Sequence, residues 1–302
     1  IMALTNRLSA ISGFGGTGKT TVLKAIVYLA NLHEIPVHVA ALAGKAANRA
    51  SQSIEGDAHT IHSIINSIKF KTGLIDIHSD PMLIIDESSM LDLSLMCTLL
   101  RQFKNLPVRL VLVGDTAQLP PIGFGLFYHR LVESNVKQVR LTEVYRQIEG
   151  SPLHDAAMNI RNGQTHDLPV YKGQKSGVYL FDCEGNPAKA AIKLRKEMEC
   201  MILTPYSNGR YKESTASLNQ SLQYIFNEPT EKKLSLSIGY SNETIGINEP
   251  VLVTKNCREL GIFNGMTGVI QNIKVVNNNV TCEIKFEGMN ELLKMTKDQC
   301  WQ

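Results

Sequence analysis

The stretch Gly13-Phe14-Gly15-Gly16-Thr17-Gly18-Lys19-Thr20 has the spacing G-x-x-x-x-G-K-[ST], with Thr21 immediately after it. It is bracketed by an apolar run, Leu8–Ser12, and by Thr20–His33, where Val22, Leu23, Ile26, Val27 and Ala30 recur at helical spacing. A strand that turns through glycines into a helix lets successive backbone N–H groups curl around a polyphosphate, and the helix N-terminus adds its dipole. Gly13, Gly15, Gly16, Thr17, Gly18, Lys19, Thr20 and Thr21 are therefore candidate nucleotide-binding residues. Lys19 has the charge to neutralise β- and γ-phosphates, and the Thr20 hydroxyl suits Mg2+, so ATP and Mg2+ are the expected ligands. The competing reading is a glycine-rich turn with a solvent lysine, and the flanking strand and helix weigh against it.

On the C-terminal side of this stretch, further short β-rich runs alternate with helical patterns, which predicts an α/β domain with a parallel sheet. The strands expected are Leu8–Ser12, Val37–Leu42, Met82–Ile85, Arg109–Val113 and Val139–Leu141, and Asp92–Phe103 reads as a second helix. Met82–Ile85 runs directly into Asp86 and Glu87. Beside a phosphate loop, neighbouring carboxylates at a strand end can divide two tasks. Asp86 is suited to the metal shell, and Glu87 to deprotonating an attacking water. Arg109–Val113 is followed by Gly114-Asp115 and then by Thr116-Ala117-Gln118. An amide there can sense a γ-phosphate by a hydrogen bond that is lost on hydrolysis, which makes Gln118 a candidate; a plain turn glutamine is the bland alternative.

The 302 residues carry 31 Lys and Arg against 28 Asp and Glu, so bulk charge does not announce a nucleic-acid partner and any such partner must be read from local sites. A chain of this length with 43% hydrophobic residues folds, with about two domains as the prior, and disorder or coiled coil is excluded. The cysteines, Cys97, Cys183, Cys200, Cys257, Cys282 and Cys300, form no C-x-x-C pair and read as reduced thiols, which points to a cytoplasmic location without a membrane partner. From residue 163 to 187 the pattern loosens into Gly, Pro, Asn and Lys. Beyond it, Met201–Thr204 reads as a strand and Glu213–Phe226 as a helix. After Glu249, short strands separated by Asn and Gly predict a small antiparallel barrel.

Taken in order, "GFGGTGKTT", "ALAGKAANRA" with "TIHSII", "LIIDESSM", "LVGDTAQLPP" and "LTEVYRQIEGSPLHDAAMNIRNG" resemble the motifs of superfamily 1 helicases of the RecD, TraA and Dda type. "ILTPYSNG", "LNQSLQ" and "VLVTKNCRELGIFNGMTGVI" resemble the second motor domain of that family and its inserted SH3-like barrel. The resemblance implies a P-loop RecA-like lobe over 1–163 with a short pin hairpin between Ile65 and Pro81, a linker over 164–190, a partial second RecA-like lobe over 191–248 and an SH3-like subdomain over 249–302. It implies an ATPase that moves 5′ to 3′ on single-stranded DNA, and it leaves subunits of a nuclease complex open as partners. Arg146 in "YRQ" matches the arginine finger. Gly44, Lys45, Thr60 and His62, and in the second half Asn256, Asn264 and Gly265, match positions that contact DNA. On physics alone Lys45 is a solvated helix lysine, His62 a core histidine, and Asn264-Gly265 a hairpin turn. The adenine motif expected upstream of Gly13 and the T-x-H-[KR]-x-Q-G motif expected after the barrel are not in the sequence, which implies truncation at both ends. Two alternatives stay open: an incomplete fragment that binds nucleotide or DNA without turnover, and a P-loop kinase of another class.

Overall fold

The computed structural model describes residues 1–73, 80–104, 106–143, 151–164, 167–174, 176–198, 200–207, 210–226, 234–238, 241–257, 259–276, 279–296 and 299. It divides into two compact units, Ile1–Gln164 and Thr165–Gln302.

In the first unit the elements run α1 (Met2–Thr5), β1 (Leu8–Gly13), α2 (Lys19–Leu32), β2 (Val37–Ala41), α3 (Gly44–Ile54), β3 (Ala58–Thr60), α4 (Ile61–Phe70), β4 (Met82–Ile85), α5 (Leu93–Gln102), β5 (Arg109–Gly114), α6 (Phe127–Glu133), β6 (Lys137–Leu141) and α7 (Pro152–Arg161). The strands form one parallel sheet in the order β3-β2-β4-β5-β1-β6. Parallel strands need both faces covered, because the helices that connect them pack on both sides. Successive side chains accordingly enter different cores. Ala10, Leu83, Ile85, Leu110 and Leu112 pack with Ile61, Ile64, Met96, Leu99 and Tyr128. Their strand neighbours Ile11, Met82, Ile84, Val111 and Val113 pack with Leu23, Ala30 and Ala50. This two-sided burial is why the strands read as continuous apolar runs rather than alternating ones.

The five expected strands are present with small shifts at their ends, and β3 is a sixth. The expected helices end close to their predicted limits; Asp92 lies outside α5 as its N-cap, its carboxylate accepting from the Leu95 N–H at 2.7 Å. Asn66–Phe70, the first part of the region expected to hold a pin hairpin, continues α4 instead, and residues 74–79 lie outside the described set.

The second unit contains α8 (Pro187–Glu197), α9 (Thr215–Phe226), a hairpin of β7 (Leu234–Ile238) and β8 (Ser241–Ile245), and then β9 (Pro250–Leu252), β10 (Thr267–Val276), β11 (Asn279–Phe286) and β12 (Leu293–Thr296). The last four form an antiparallel sheet, β12-β11-β10-β9, over a core of Ile262, Ile270, Ile273, Cys282, Ile284, Phe286 and Met295. The strand expected over Met201–Thr204 is not one. That stretch is irregular chain with Met201 and Leu203 exposed, since an apolar run becomes a strand only where a neighbour takes up its backbone bonds. Among the described residues no helix is long and apolar enough to cross a membrane, and Cys97, Cys183, Cys200 and Cys257 are free thiols.

Candidate functional site

The candidate site residues of the first unit that the structure describes lie where strands of the parallel sheet end or just beyond, at its carboxyl edge. In open α/β sheets this is where ligand crevices form. The sheet order sets β1 beside β5 and β5 beside β4, so the loops leaving these three strands are neighbours.

The loop after β1 is shaped by glycine for two separate reasons. Gly16 and Gly18 have φ of 84° and 82°, backbone that other residues adopt only with strain. At Gly13 the constraint is space: a Cβ there would lie 2.5 Å from Thr17 Oγ1 and 2.9 Å from the Leu141 Cβ. Around Gly15, by contrast, a Cβ meets nothing within 4 Å. The Phe14 carbonyl organises the turn, accepting from the Thr17 N–H at 3.3 Å and from Thr17 Oγ1 at 2.8 Å. Lys19, at the start of α2, folds its ammonium back over the loop and donates to the carbonyls of Gly13 at 2.9 Å and Phe14 at 3.0 Å. Thr20 and Thr21 follow on the first turn of α2 and are exposed.

β4 delivers the two carboxylates. Asp86 and Glu87 are half-buried, and Asp86 Oδ1 accepts from the Glu87 N–H at 2.9 Å. Burial raises the Asp86 pKa above the usual aspartate value, against the opposing pull of the Glu87 N–H and of the Lys19 charge. Glu87 is also raised, by burial first and then by the Asp86 carboxylate; Lys19 opposes the rise, Asp115 adds to it and Arg49 opposes it. Glu87 sits at φ 52° and its Oε2 is buried with no hydrogen-bond partner. Strained backbone together with an unsatisfied buried acceptor is costly, and the combination marks sites organised for a ligand rather than for stability.

β5 ends at Gly114, where a Cβ would come within 2.9 Å of the Tyr128 ring and 3.0 Å of the Ser89 nitrogen. Asp115 follows, buried, with Oδ1 accepting from the Ala117 N–H at 3.0 Å, while its carbonyl accepts from the Gln118 N–H at 3.1 Å. This tight turn presents an exposed Gln118. A cleft of about 580 Å³ adjoins it, with Gly13, Phe14, Asp115, His129, Arg140 and Arg161 among its walls.

The expected DNA contacts of the first unit share the same edge. Ala41, the last residue of β2, pairs with Thr60, the last of β3, so the segments that follow begin side by side. Gly44 opens α3 buried, and Lys45 beside it is exposed. Thr60 caps α4, its hydroxyl accepting from the Ser63 N–H at 3.1 Å. His62 is exposed, so the core-histidine alternative does not hold. In the second unit Asn256 Oδ1 accepts from the Asn264 N–H at 2.7 Å and Gly265 has φ 89°, a turn closed within itself. Arg146 falls in 144–150, outside the described residues. Sequence reasoning missed Arg161, whose guanidinium carbon lies 3.5 Å from the Phe14 ring centroid, and the buried Tyr128, whose hydroxyl donates to the Ile11 carbonyl at 2.8 Å. Neither sits in a spacing with a mechanism of its own; the Gly114-Asp115 motif was visible, but not what packs on it.

Residues 1–177 match the AAA domain family. The chain is 31% identical to the ATP-dependent RecD2 DNA helicase of Deinococcus radiodurans over 88% of its own length and 36% of the relative. It is 31% identical to the RecBCD enzyme subunit RecD of Haemophilus influenzae over 88% of its length and 56% of that protein. It is 24% identical to a probable conjugal transfer protein TraA of Sinorhizobium fredii over 94% of its length and 25% of that protein. The chain thus spans between a quarter and a little over half of these curated relatives. In fold it is similar to a Pif1 helicase solved in a study of unwinding at forked DNA, with TM-score 0.56 and 19% identity over 96% of this chain and 72% of that one. It is likewise similar to Bacteroides Pif1 bound to single-stranded DNA, with TM-score 0.54 and 19% identity over 98% and 77%.

Proposed function

The chain belongs to the AAA domain family, among the superfamily 1 helicases of RecD, TraA and Pif1 type, and from that membership we propose that it is the motor part of an ATP-driven DNA helicase that steps along single-stranded DNA. The observation that carries this reading is the convergence of the phosphate loop, the Asp86–Glu87 pair and the Asp115–Gln118 turn on three neighbouring strand ends. The residues fit a magnesium nucleotide. The buried Glu87 Oε2, without a hydrogen-bond partner among the described residues, and the ammonium of Lys19, which donates to loop carbonyls, are groups that a polyphosphate and a water would engage.

Thr20 and Asp86 would hold the magnesium, which supplies neutralisation of charge on the β- and γ-phosphates. Lys19 exchanges the carbonyls of Gly13 and Phe14 for phosphate oxygens. Glu87 takes the proton of the water that attacks the γ-phosphorus while the bond from that phosphorus to the β–γ bridging oxygen breaks and ADP leaves, and its raised pKa makes it a stronger base than an exposed glutamate. Gln118 reports whether the γ-phosphate is present, and Arg146, by its match to the arginine finger, stabilises charge on the transferring group. Gly44, Lys45, Thr60 and His62 in the first unit, and by themselves Asn256, Asn264 and Gly265 in the second, are the residues that would contact DNA; Lys45 supplies a phosphate contact and His62 a ring on which a base can stack. The 5′-to-3′ direction, from the motif resemblance, a cytoplasmic location, from the reduced thiols, and assembly with nuclease subunits, from the similarity to the RecBCD enzyme subunit RecD, belong to the same proposal.

Phosphate release from Mg·ATP, measured with and without an unstructured single-stranded oligonucleotide, tests the reading. Stimulation by the oligonucleotide is expected, and Lys19→Ala should lower turnover by about 10³-fold or more. Nucleotide binding without turnover in the unaltered chain would overturn it in favour of a binding fragment. A requirement for a small-molecule acceptor would overturn it in favour of a kinase.

A further inference from the structure

Phe14 holds the phosphate loop from two sides. Its carbonyl gathers Thr17 and Lys19, while its ring lies against the guanidinium of Arg161, with 3.5 Å between the guanidinium carbon and the ring centroid. The same guanidinium donates through Nη1 to Asp115 Oδ1 at 3.2 Å. That oxygen is the one that also accepts from Ala117 and so fixes the turn that presents Gln118. One side chain, 20% exposed, therefore bridges the loop that leaves β1 and the loop that leaves β5. Arg161 is the last residue of α7, a helix capped at its start by Ser151 and followed by Asn162 and Gly163, the latter at φ 70°. In sequence, α7 follows directly on the segment 144–150 that carries Arg146. A planar guanidinium can stack on a ring and donate to a carboxylate at once; an ammonium can replace the charge but not the stacked plane.

We propose that Arg161 is a positioning residue that locks the phosphate loop and the Gln118 turn to α7, so that both loops are held or released together. The consequence for catalysis rests on the nucleotide reading given above, whereas the lock itself does not.

The experiment compares the full chain with Arg161→Lys, Phe14→Leu and the double variant, by amide hydrogen exchange over 13–20 and 115–118 and by steady-state Mg·ATP turnover. Arg161→Lys leads because it keeps a cation beside buried Asp115, whereas Arg161→Ala would leave that carboxylate unpaired and endanger folding. The expected result is exchange about tenfold faster in both loops with Met82–Ile85 unchanged, and kcat lowered about tenfold with KM altered less than about twofold. The double variant should be no worse than the more affected single one, because both remove the same contact. Faster exchange in one loop only, a uniform rise that includes Met82–Ile85, or no change at all would each overturn the lock. If the unaltered chain fails to hydrolyse ATP while both loops loosen together in Arg161→Lys, the nucleotide reading falls and the lock stands. If it hydrolyses ATP and the loops do not loosen, the lock falls and the nucleotide reading stands.

Discussion

Glu87 and Glu283 are the same side chain in sheets of opposite design. Glu87, just past the end of β4, has one oxygen buried without a partner, and burial together with the Asp86 carboxylate pushes its pKa up. Glu283, in β11, accepts from Lys274 Nζ at 2.8 Å and from Asn272 Nδ2 at 3.2 Å, with Lys294 at 3.9 Å, and the hydrogen bond from Lys274 leads the causes that pull its pKa down. At the carboxyl edge of the parallel sheet Glu87 thus combines an unsatisfied carboxylate oxygen with left-handed backbone, whereas the antiparallel sheet pairs the Glu283 charge across strands. Glu87 gives up local stability at the proposed nucleotide site, whereas Glu283 adds to the stability of its sheet.

The two glutamates therefore answer pH with opposite signs. For Glu87 the fold favours the neutral form: its contribution to stability is present below the pKa of the unfolded chain and is lost as pH rises through the raised folded value. For Glu283 the fold favours the charged form: its contribution is present above the unfolded pKa and is lost as pH falls through the lowered folded value.

The largest effect is expected of Glu87→Gln. Phosphate release should fall by about 10²- to 10⁴-fold, while the melting temperature at pH 8 in chelator rises by about 2 °C, a gain that shrinks on acidification. A lower melting temperature at pH 8 would contradict the assignment of strain to this edge. Next in size, Phe286→Ala opens the core of the antiparallel sheet and should cost about 3–5 kcal/mol in urea unfolding. Binding of a fluorescent ATP analogue should survive it, and loss of that binding would mean that the first unit depends on the second. Smallest is Glu283→Gln, expected to lower the melting temperature by about 1 °C at pH 7, the difference closing as pH falls; a stabilised variant would remove the contrast with Glu87.

Much of the parallel sheet was legible because its strands are buried on both faces and stand out as unbroken apolar runs, Met82–Ile85 being the clearest. β3 was not legible, because Ala58-His59-Thr60 is three residues with no apolar run, held by its register with β2. The phosphate loop and Asp86–Glu87 could be found from spacing, since their chemistry fixes the order of residues along the chain. Arg161 could not, because its partners Phe14 and Asp115 are distant in sequence and meet it only through the fold. Met201–Thr204 misled for a related reason: an apolar run carries no information about whether a neighbouring strand exists.

The place of β1 in the sheet also governs when this unit can fold. Both its neighbours come late in the first unit, Leu8 pairing with Leu110 and Ser9 with Lys137. During synthesis the strand that carries the phosphate loop is made early and waits, unpaired, until β5 and β6 have emerged. Closing that long loop is an entropic step to be met before any of its hydrogen bonds reward it. The order of assembly then departs from the order of synthesis, with the strand that carries the phosphate loop made before either of the strands that flank it.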